Sequence, residues 1–408
     1  MSPTHEAAAD PMPDFSDRAR LVVIVGLTLS VVMVGISLGG LIPWLSLKLE
    51  ARGTSAVTIG LVAAANPLGI MLVAPFAHRI GMRLGMGWSI LLFEVIALPG
   101  ILLLLVFESE LAWFILRLLA GFAMAIPWII GETWVNLIAR PQWRARVMAF
   151  YTAGVAAGFA LGPLVLSVVG IEGSLPILVF GGLAVCAILP IFLIWRFETP
   201  LGDAPTQGFF GRIFSMPVLF MAIILAAMAD TVALTFLPIW GKSLGYTEQL
   251  SLLFVSIVLV GNVILQLPIG MVADRIGIRR TMVYCGIISL IGPFALVMFG
   301  STLVLLVPLL FLWGGAVWAL YSLALAELGH RLTGAALAAA NGALVFVYTL
   351  ANVISPPVAG AGLELVPPHG FMVVIVVAAI AFLTLAWARG SPEARGAATA
   401  EKSGKQGD

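Results

Sequence analysis

Long apolar runs alternate with short polar breaks along the whole chain. About 20 mostly apolar residues, rising 1.5 Å each, span a bilayer as a helix. The pattern predicts twelve spanning helices, at 21–47, 54–77, 86–107, 111–137, 146–169, 175–195, 216–240, 250–272, 281–300, 302–327, 335–359 and 370–388. The longest break, 196–215, reads as a linker. The expected organisation is a polar tail 1–20, a six-helix bundle 21–195, the linker 196–215, a second six-helix bundle 216–388 and a polar tail 389–408.

A basic segment occurs twice, 196 residues apart: Ala74-Pro-Phe-Ala-His78-Arg79-Ile-Gly81-Met-Arg83 and Gly270-Met-Val-Ala-Asp274-Arg275-Ile-Gly277-Ile-Arg279-Arg280. Each closes one apolar run just before the next, which predicts a short loop turning on its glycine. Asn66 and Asn262 share the offset of 196, Pro43 and Pro238 that of 195, Glu132 and Glu327 also 195, and Pro163 and Pro357 that of 194. Six helices repeated without inversion give two parallel bundles, with a polar site between them near the midplane. The fold class is therefore all-α integral membrane.

Charge supplies the orientation. With the N-terminus inside, 17 of the 21 Lys and Arg fall on one set of alternate loops and tails. Three (Lys48, Arg52, Lys242) fall on the other set, and Arg117 lies within a helix. Positive residues favour the cytoplasmic side, so both termini are expected there.

The chain has 408 residues, 61% of them hydrophobic and 10% charged, with a mean hydropathy of +1.11. A soluble domain carries about 25% charged residues. Net charge is +1, which gives no footprint for nucleic acid. Cys186 and Cys285 lie in apolar runs, implying neither a disulfide framework nor a metal site. The first 20 residues lack the basic start of a cleaved signal peptide. Four lysines against 17 arginines, with abundant Ala and Gly, suggest a GC-rich bacterium and its inner membrane.

An intramembrane enzyme is the competing class. Gly35-Ile-Ser37-Leu-Gly39 fits a nucleophile pattern by letter, but none of the four histidines sits in a predicted helix core. Gly241-Lys242-Ser243 matches the end of a phosphate loop, with Phe236 where its first glycine belongs. No cofactor is expected, and with no room for a nucleotide-binding domain any transport must run on ion or solute gradients.

The segment from Gly270 to Arg280 resembles the loop signature of the major facilitator superfamily. The first copy departs from it at Ala74, His78 and Met82. Arg117 followed by Gly121 resembles a second motif, of proton-coupled members. Gly154, Gly158, Gly162 and Pro163 resemble the helix 5 motif of antiporters, with Leu166 replacing its last glycine. The segment from Gly131 to Asn136 with Arg144-Ala-Arg146, and Ser355-Pro356-Pro357-Val-Ala-Gly360, are similar to a poorly characterised bacterial branch. The resemblance covers 21–388, and implies a cavity lined by helices 1, 4, 7 and 10.

Ionisable side chains inside a bilayer are costly and point to function. Asp230 lies about 20 Å into helix 7, where a coupling carboxylate belongs; the alternative is a carboxylate tied to Thr231 or nearby backbone. Arg117 can bind an anion or tune an acid, or pair statically with Glu94 or helix-end carbonyls. Glu94, on supporting helix 3, either pairs with Arg117 or stays protonated. Candidate lining residues are Ser37, Asn66, Trp128, Asn262, Gln266, Trp313, Tyr321 and Tyr348. Candidate gate residues are Arg79, Arg83, Glu132, Arg144, Asp274, Arg275, Arg279 and Glu327. Glu132 is expected to meet Arg79, Arg83 or Arg144, and Glu327 to meet Arg275 or Arg279, whenever the inner gate is shut. Asp274 is expected to face the N-terminus of helix 11, favourable for an anion; His78 at the equivalent place makes the gate asymmetric or pH-sensitive. Gly154, Gly158, Gly162 and Pro163 are expected to form a sliding contact with the other half, or simple packing.

The sequence thus predicts a secondary transporter working by alternating access, exporting a small organic compound in exchange for protons. Uptake of a sugar or carboxylate by proton symport is the alternative, and a non-transporting sensor a further one. Its expected partners are the solute, protons and the bilayer, with the protein a monomer.

Overall fold

The computed structural model describes residues 15–140, 142–197, 216–332 and 334–388. Its helices are α1 (Asp17–Ala51), α2 (Ala56–Leu84), α3 (Met86–Leu102), α4 (Glu110–Ile138), α5 (Arg144–Val169), α6 (Leu175–Ile194), α7 (Pro217–Ser243), α8 (Glu248–Ile276), α9 (Ile278–Phe299), α10 (Leu303–Arg331), α11 (Gly334–Leu365) and α12 (Phe371–Ala388). All twelve apolar runs are helices long enough to cross a membrane. Most of the linker and both tails, with Arg212 and the C-terminal basic residues, lie outside the described residues.

Odd and even helices run in opposite directions, giving the bundle two ends. One carries the repeated basic segments and is called here the basic end; the other is the far end. Hydroxyl caps open several helices at the far end: Ser55, Ser109 and Thr247 accept from the backbone N–H of Thr58, Ala112 and Leu250 at 3.2, 3.2 and 3.3 Å. Such caps satisfy an amide that would otherwise be orphaned. At the basic end two turns are made by glycines instead.

Those turns correct the expectation that each basic segment turns on its own glycine. Gly277 has φ 93° and ends α8, as expected. Gly81 does not turn. It is buried inside α2, which continues to Leu84 and turns at Gly85, with φ 80°. Only glycine takes this conformation without strain. The first basic segment is therefore helical throughout.

Every helix except α12 carries an internal proline. Neighbouring helices make this tolerable at membrane depth. The halves, α1–α6 and α7–α12, meet mainly through α2 with α11, α5 with α8 and α1 with α7.

The far end is closed across this divide. A Cβ on Gly60 would collide with the backbone of Pro356 and Pro357, and one on Gly360 with that of Ala56. The Glu364 carboxylate accepts the Val57 N–H at 3.0 Å, at the N-terminus of α2. Lys242 Nζ meets Glu50 Oε2 at 2.6 Å.

At the basic end three polar ties each stay within one half. Arg20 donates to the Ile138 carbonyl at 2.7 Å, and Arg140 pairs with Asp17 at 2.5 Å. Arg279 donates to the Ala386 carbonyl at 3.3 Å. Glu132, Asn136 and Gln266 are exposed there. The halves are locked at the far end and parted at the basic end.

The helix 5 glycines face α1 of their own half, which corrects the expected sliding contact. A Cβ on Gly158 would stand 2.6 Å from the Val32 carbonyl oxygen and 3.1 Å from Gly35 Cα. Gly154 meets Thr28, and Gly162 meets the backbone of Gly39 and Gly40. Small residues here let two backbones touch. The contact of α5 with the other half is made with α8.

Candidate functional site

Nearly all of α7 from Leu225 to Gly241 is buried; Asp230 and Met228 are partly exposed. An acid in such a helix needs a polar partner. Asp230 Oδ2 accepts the Tyr348 hydroxyl of α11 at 2.8 Å, with the Trp318 indole of α10 also in hydrogen-bonding reach. Tyr321 of α10 packs edge-on against Tyr348, ring centres 5.1 Å apart. Thr231 is not the partner of Asp230: its hydroxyl lies 2.6 Å from the Asn352 amide oxygen. Three helices thus bring one carboxylate, two phenols and an indole together, with no cation paired to the acid among the described residues.

In the first half, Glu94 is 5% exposed. Ser30 of α1 donates to Oε1 at 2.8 Å, while Oε2 is enclosed without a partner. Both residues border a small cavity with Met124, Trp128, Gly131 and Tyr151.

Arg117 is buried too, at 3% exposure, with Nε unpartnered. It borders a second cavity with Ser46 of α1, Ala63 of α2 and Thr235 of α7, beneath the far-end closure. The expected Arg117–Glu94 pair is not formed. Glu94 lies midway along α3, beside Trp128 and Gly131 of α4, whereas Arg117 lies about three turns nearer the far end of α4, roughly 15 Å away along the bundle at 1.5 Å per residue.

The remaining candidates separate by helix face. Ser37 is buried and donates to the Phe180 carbonyl of α6 at 2.8 Å, away from the divide. Asn66 is buried against Gly121, at the α2–α4 contact. Trp313 is buried against Gly292 of α9. These three serve packing within a half, contrary to expectation. Asn262 is half-buried, and the exposed Gln266 bonds to Ser322 of α10.

The candidate gate residues are apart. Arg79, Arg83, Arg144, Asp274 and Arg275 are exposed at the basic end. Among the described residues no hydrogen bond or ion pair joins Asp274 to α11. Glu327 pairs with Arg331 of its own helix rather than Arg275 or Arg279. Glu132 has no ion pair among the described residues, and lies close enough to Tyr151 and, across the divide, Tyr321 to act on both electrostatically. Parted halves account for this, since the expected pairs belong to the shut inner gate.

Sequence reading missed the far-end contacts Glu50–Lys242 and Glu364–Val57, and the partner role of Ser30. Opposite charges at the far ends of helices 1 and 7 were the available signal for the first pair. Nothing distinguished Ser30 from the other hydroxyls of α1.

A family model described as Major Facilitator Superfamily matches residues 27–258 and 219–407. YfkF of Bacillus subtilis, an uncharacterised MFS-type transporter, is 27% identical over 346 residues, covering 82% of this chain and 87% of its own length. An uncharacterised MFS-type transporter of Yersinia enterocolitica is 24% identical over 382 residues, covering 90% and 95%. Among solved structures, the nucleoside transporter NupG superposes with a TM-score of 0.71 at 16% identity, over 91% of this chain and 98% of its own. A D-xylose-proton symporter gives 0.70 at 16% identity, over 89% and 97%. The structural likenesses concern the fold alone. With both six-helix halves matched, the chain belongs to the major facilitator superfamily of secondary transporters.

Proposed function

We propose that the protein is a proton-coupled exporter of a small organic compound, with Asp230 as the coupling carboxylate. The observation that carries this reading is the Asp230–Tyr348 bond, formed in a buried helix with no cation among the described residues paired to the acid. A carboxylate held by a neutral phenol can gain or lose a proton without breaking an ion pair. Its change of charge then alters the cost of turning the site between two solvents. The basic end is assigned to the cytoplasm of a bacterial inner membrane by its arginine excess. The closed far end and parted basic end correspond to a cytoplasm-facing state of alternating access.

The gate pairs of Glu132 and Glu327 with the arginines of the basic segments belong to the opposite state. Export is supported by the resemblance of Arg117 and the helix 5 glycines to antiporter motifs. Proton symport is the second reading, in line with the likeness of fold to a D-xylose-proton symporter. Purified protein in proteoliposomes tests the proposal. A pH gradient should drive solute movement in wild type and not in Asp230→Asn, which should still exchange solute at equilibrium. Gradient-driven accumulation by the mutant would remove Asp230 from the coupling role.

A further inference from the structure

The interior of the first half holds an acid that the coupling scheme leaves unused. Glu94 is almost wholly enclosed, and only one of its oxygens is satisfied, by Ser30. The other, Oε2, has no hydrogen-bond partner among the described residues. Enclosed polar atoms without a partner are rare, and each calls for an explanation.

The cavity beside Glu94 provides one. About 20 Å³ of it is open to the centre of a water-sized group, room for roughly one such group. An ammonium has that size, whereas a quaternary nitrogen with its four carbons does not. Trp128, Tyr151 and Met124 also line the cavity. Gly131 keeps it open, because a Cβ there would stand 3.3 Å from the Tyr151 hydroxyl. A carboxylate beside a tryptophan offers a cation an ion pair together with a π system.

The surrounding charge has one sign. The groups acting electrostatically on Tyr151 are Glu132 and Glu94, both acids. Glu132 is exposed, next to Gly131 in sequence, so a cation entering from the basic end meets it before reaching Glu94. Arg117, which would repel a cation, lies about three turns further toward the far end, roughly 15 Å away along the bundle at 1.5 Å per residue.

We propose that this cavity binds the primary ammonium end of the transported compound, seated between the Glu94 carboxylate and Trp128. The word "transported" rests on the function proposed above; the binding does not. The remainder of the molecule extends toward Glu132 and the divide between the halves. The class is thus a primary amine, charged at neutral pH.

The test is a titration of the purified full-length protein with benzylammonium, benzyl alcohol and tetramethylammonium, read by tryptophan fluorescence and thermal stability. Benzylammonium should saturate below about 10 mM, a concentration that fills a site of millimolar affinity. The alcohol and the quaternary ion should not. Glu94→Gln, which keeps an acceptor for Ser30, should lose at least tenfold in affinity, and Trp128→Phe severalfold. Gly131→Ala should also weaken binding severalfold while leaving every charge in place, so it decides the matter if Glu94→Gln does not fold. Absence of saturation in wild type overturns the proposal, as does equal binding by the alcohol or by Glu94→Gln. Benzylammonium that binds through Glu94 yet is not moved by a pH gradient would refute the transport reading and leave this site standing.

Discussion

Lys242 Nζ lies 2.6 Å from Glu50 Oε2, joining the far ends of α7 and α1 across the two halves. The groups are 30% and 35% exposed, so solvent screens the pair and its contribution is about 0.2–1 kcal/mol. Lys242→Glu should therefore shift the closed population by up to roughly fivefold, and Glu50→Lys in the same chain should restore it. Labelling of Ser46→Cys from the far side measures this, since Ser46 is buried beneath the closure. An unchanged labelling rate in Lys242→Glu would show that the pair does not hold the closed state.

The backbone contact of α2 with α11 should matter more than that ion pair. Leucine at Gly60 cannot fit against Pro356 and Pro357, and overpacking of this kind costs about 1–3 kcal/mol. Gly60→Leu should favour the far-open state and speed Ser46→Cys labelling beyond the effect of Lys242→Glu. The reverse ranking would place the closure in the charges.

Gly158→Val tests the reassigned role of the helix 5 glycines. A Cβ 2.6 Å from the Val32 carbonyl oxygen must push α5 away from α1. The expected loss is about 1–3 kcal/mol of stability, read as a lower melting temperature of the purified protein. A mutant that melts normally and fails only in transport would revive the sliding contact.

His369, in the turn between α11 and α12, accepts the Trp240 indole N–H at its Nδ1, at 2.9 Å. Partial burial holds its imidazole pKa below the usual value. The neutral form is thus the one the fold favours. Its contribution is fully present above the unfolded value of about 6.5 and is lost as pH falls through the lower folded value. Melting temperature should drop on acidification below about pH 6.5, and less so in His369→Gln, whose amide oxygen accepts the same bond without titrating. Parallel pH profiles for the two proteins would remove His369 from the account.

Much of the candidate site could be read in advance, for a definite reason. Asp230, Tyr348 and Tyr321 stood out as polar or aromatic residues in apolar helices, and the structure brings them together. Ser37, Asn66 and Trp313 carried the same signal and turned instead into contacts within a half. Composition marks a residue as unusual for its helix, but a small rotation of that helix decides which neighbour it meets. The expected anion at a helix N-terminus shows the same limit. The structure has such an arrangement, between Glu364 and Val57 at the far end, whereas Asp274 at the basic end is exposed.

The twelve spans, the repeated six-helix halves and the set of intramembrane charges are legible in the order of residues alone. A spanning segment is a local property, settled by some 20 contiguous residues against the thickness of a bilayer. Tertiary structure alone decided which end is closed, that α2 turns at Gly85 rather than Gly81, and that Glu94 keeps one oxygen unpaired while Arg117 lies far from it. Those outcomes depend on helix rotation and tilt, set by close packing among residues far apart in the chain.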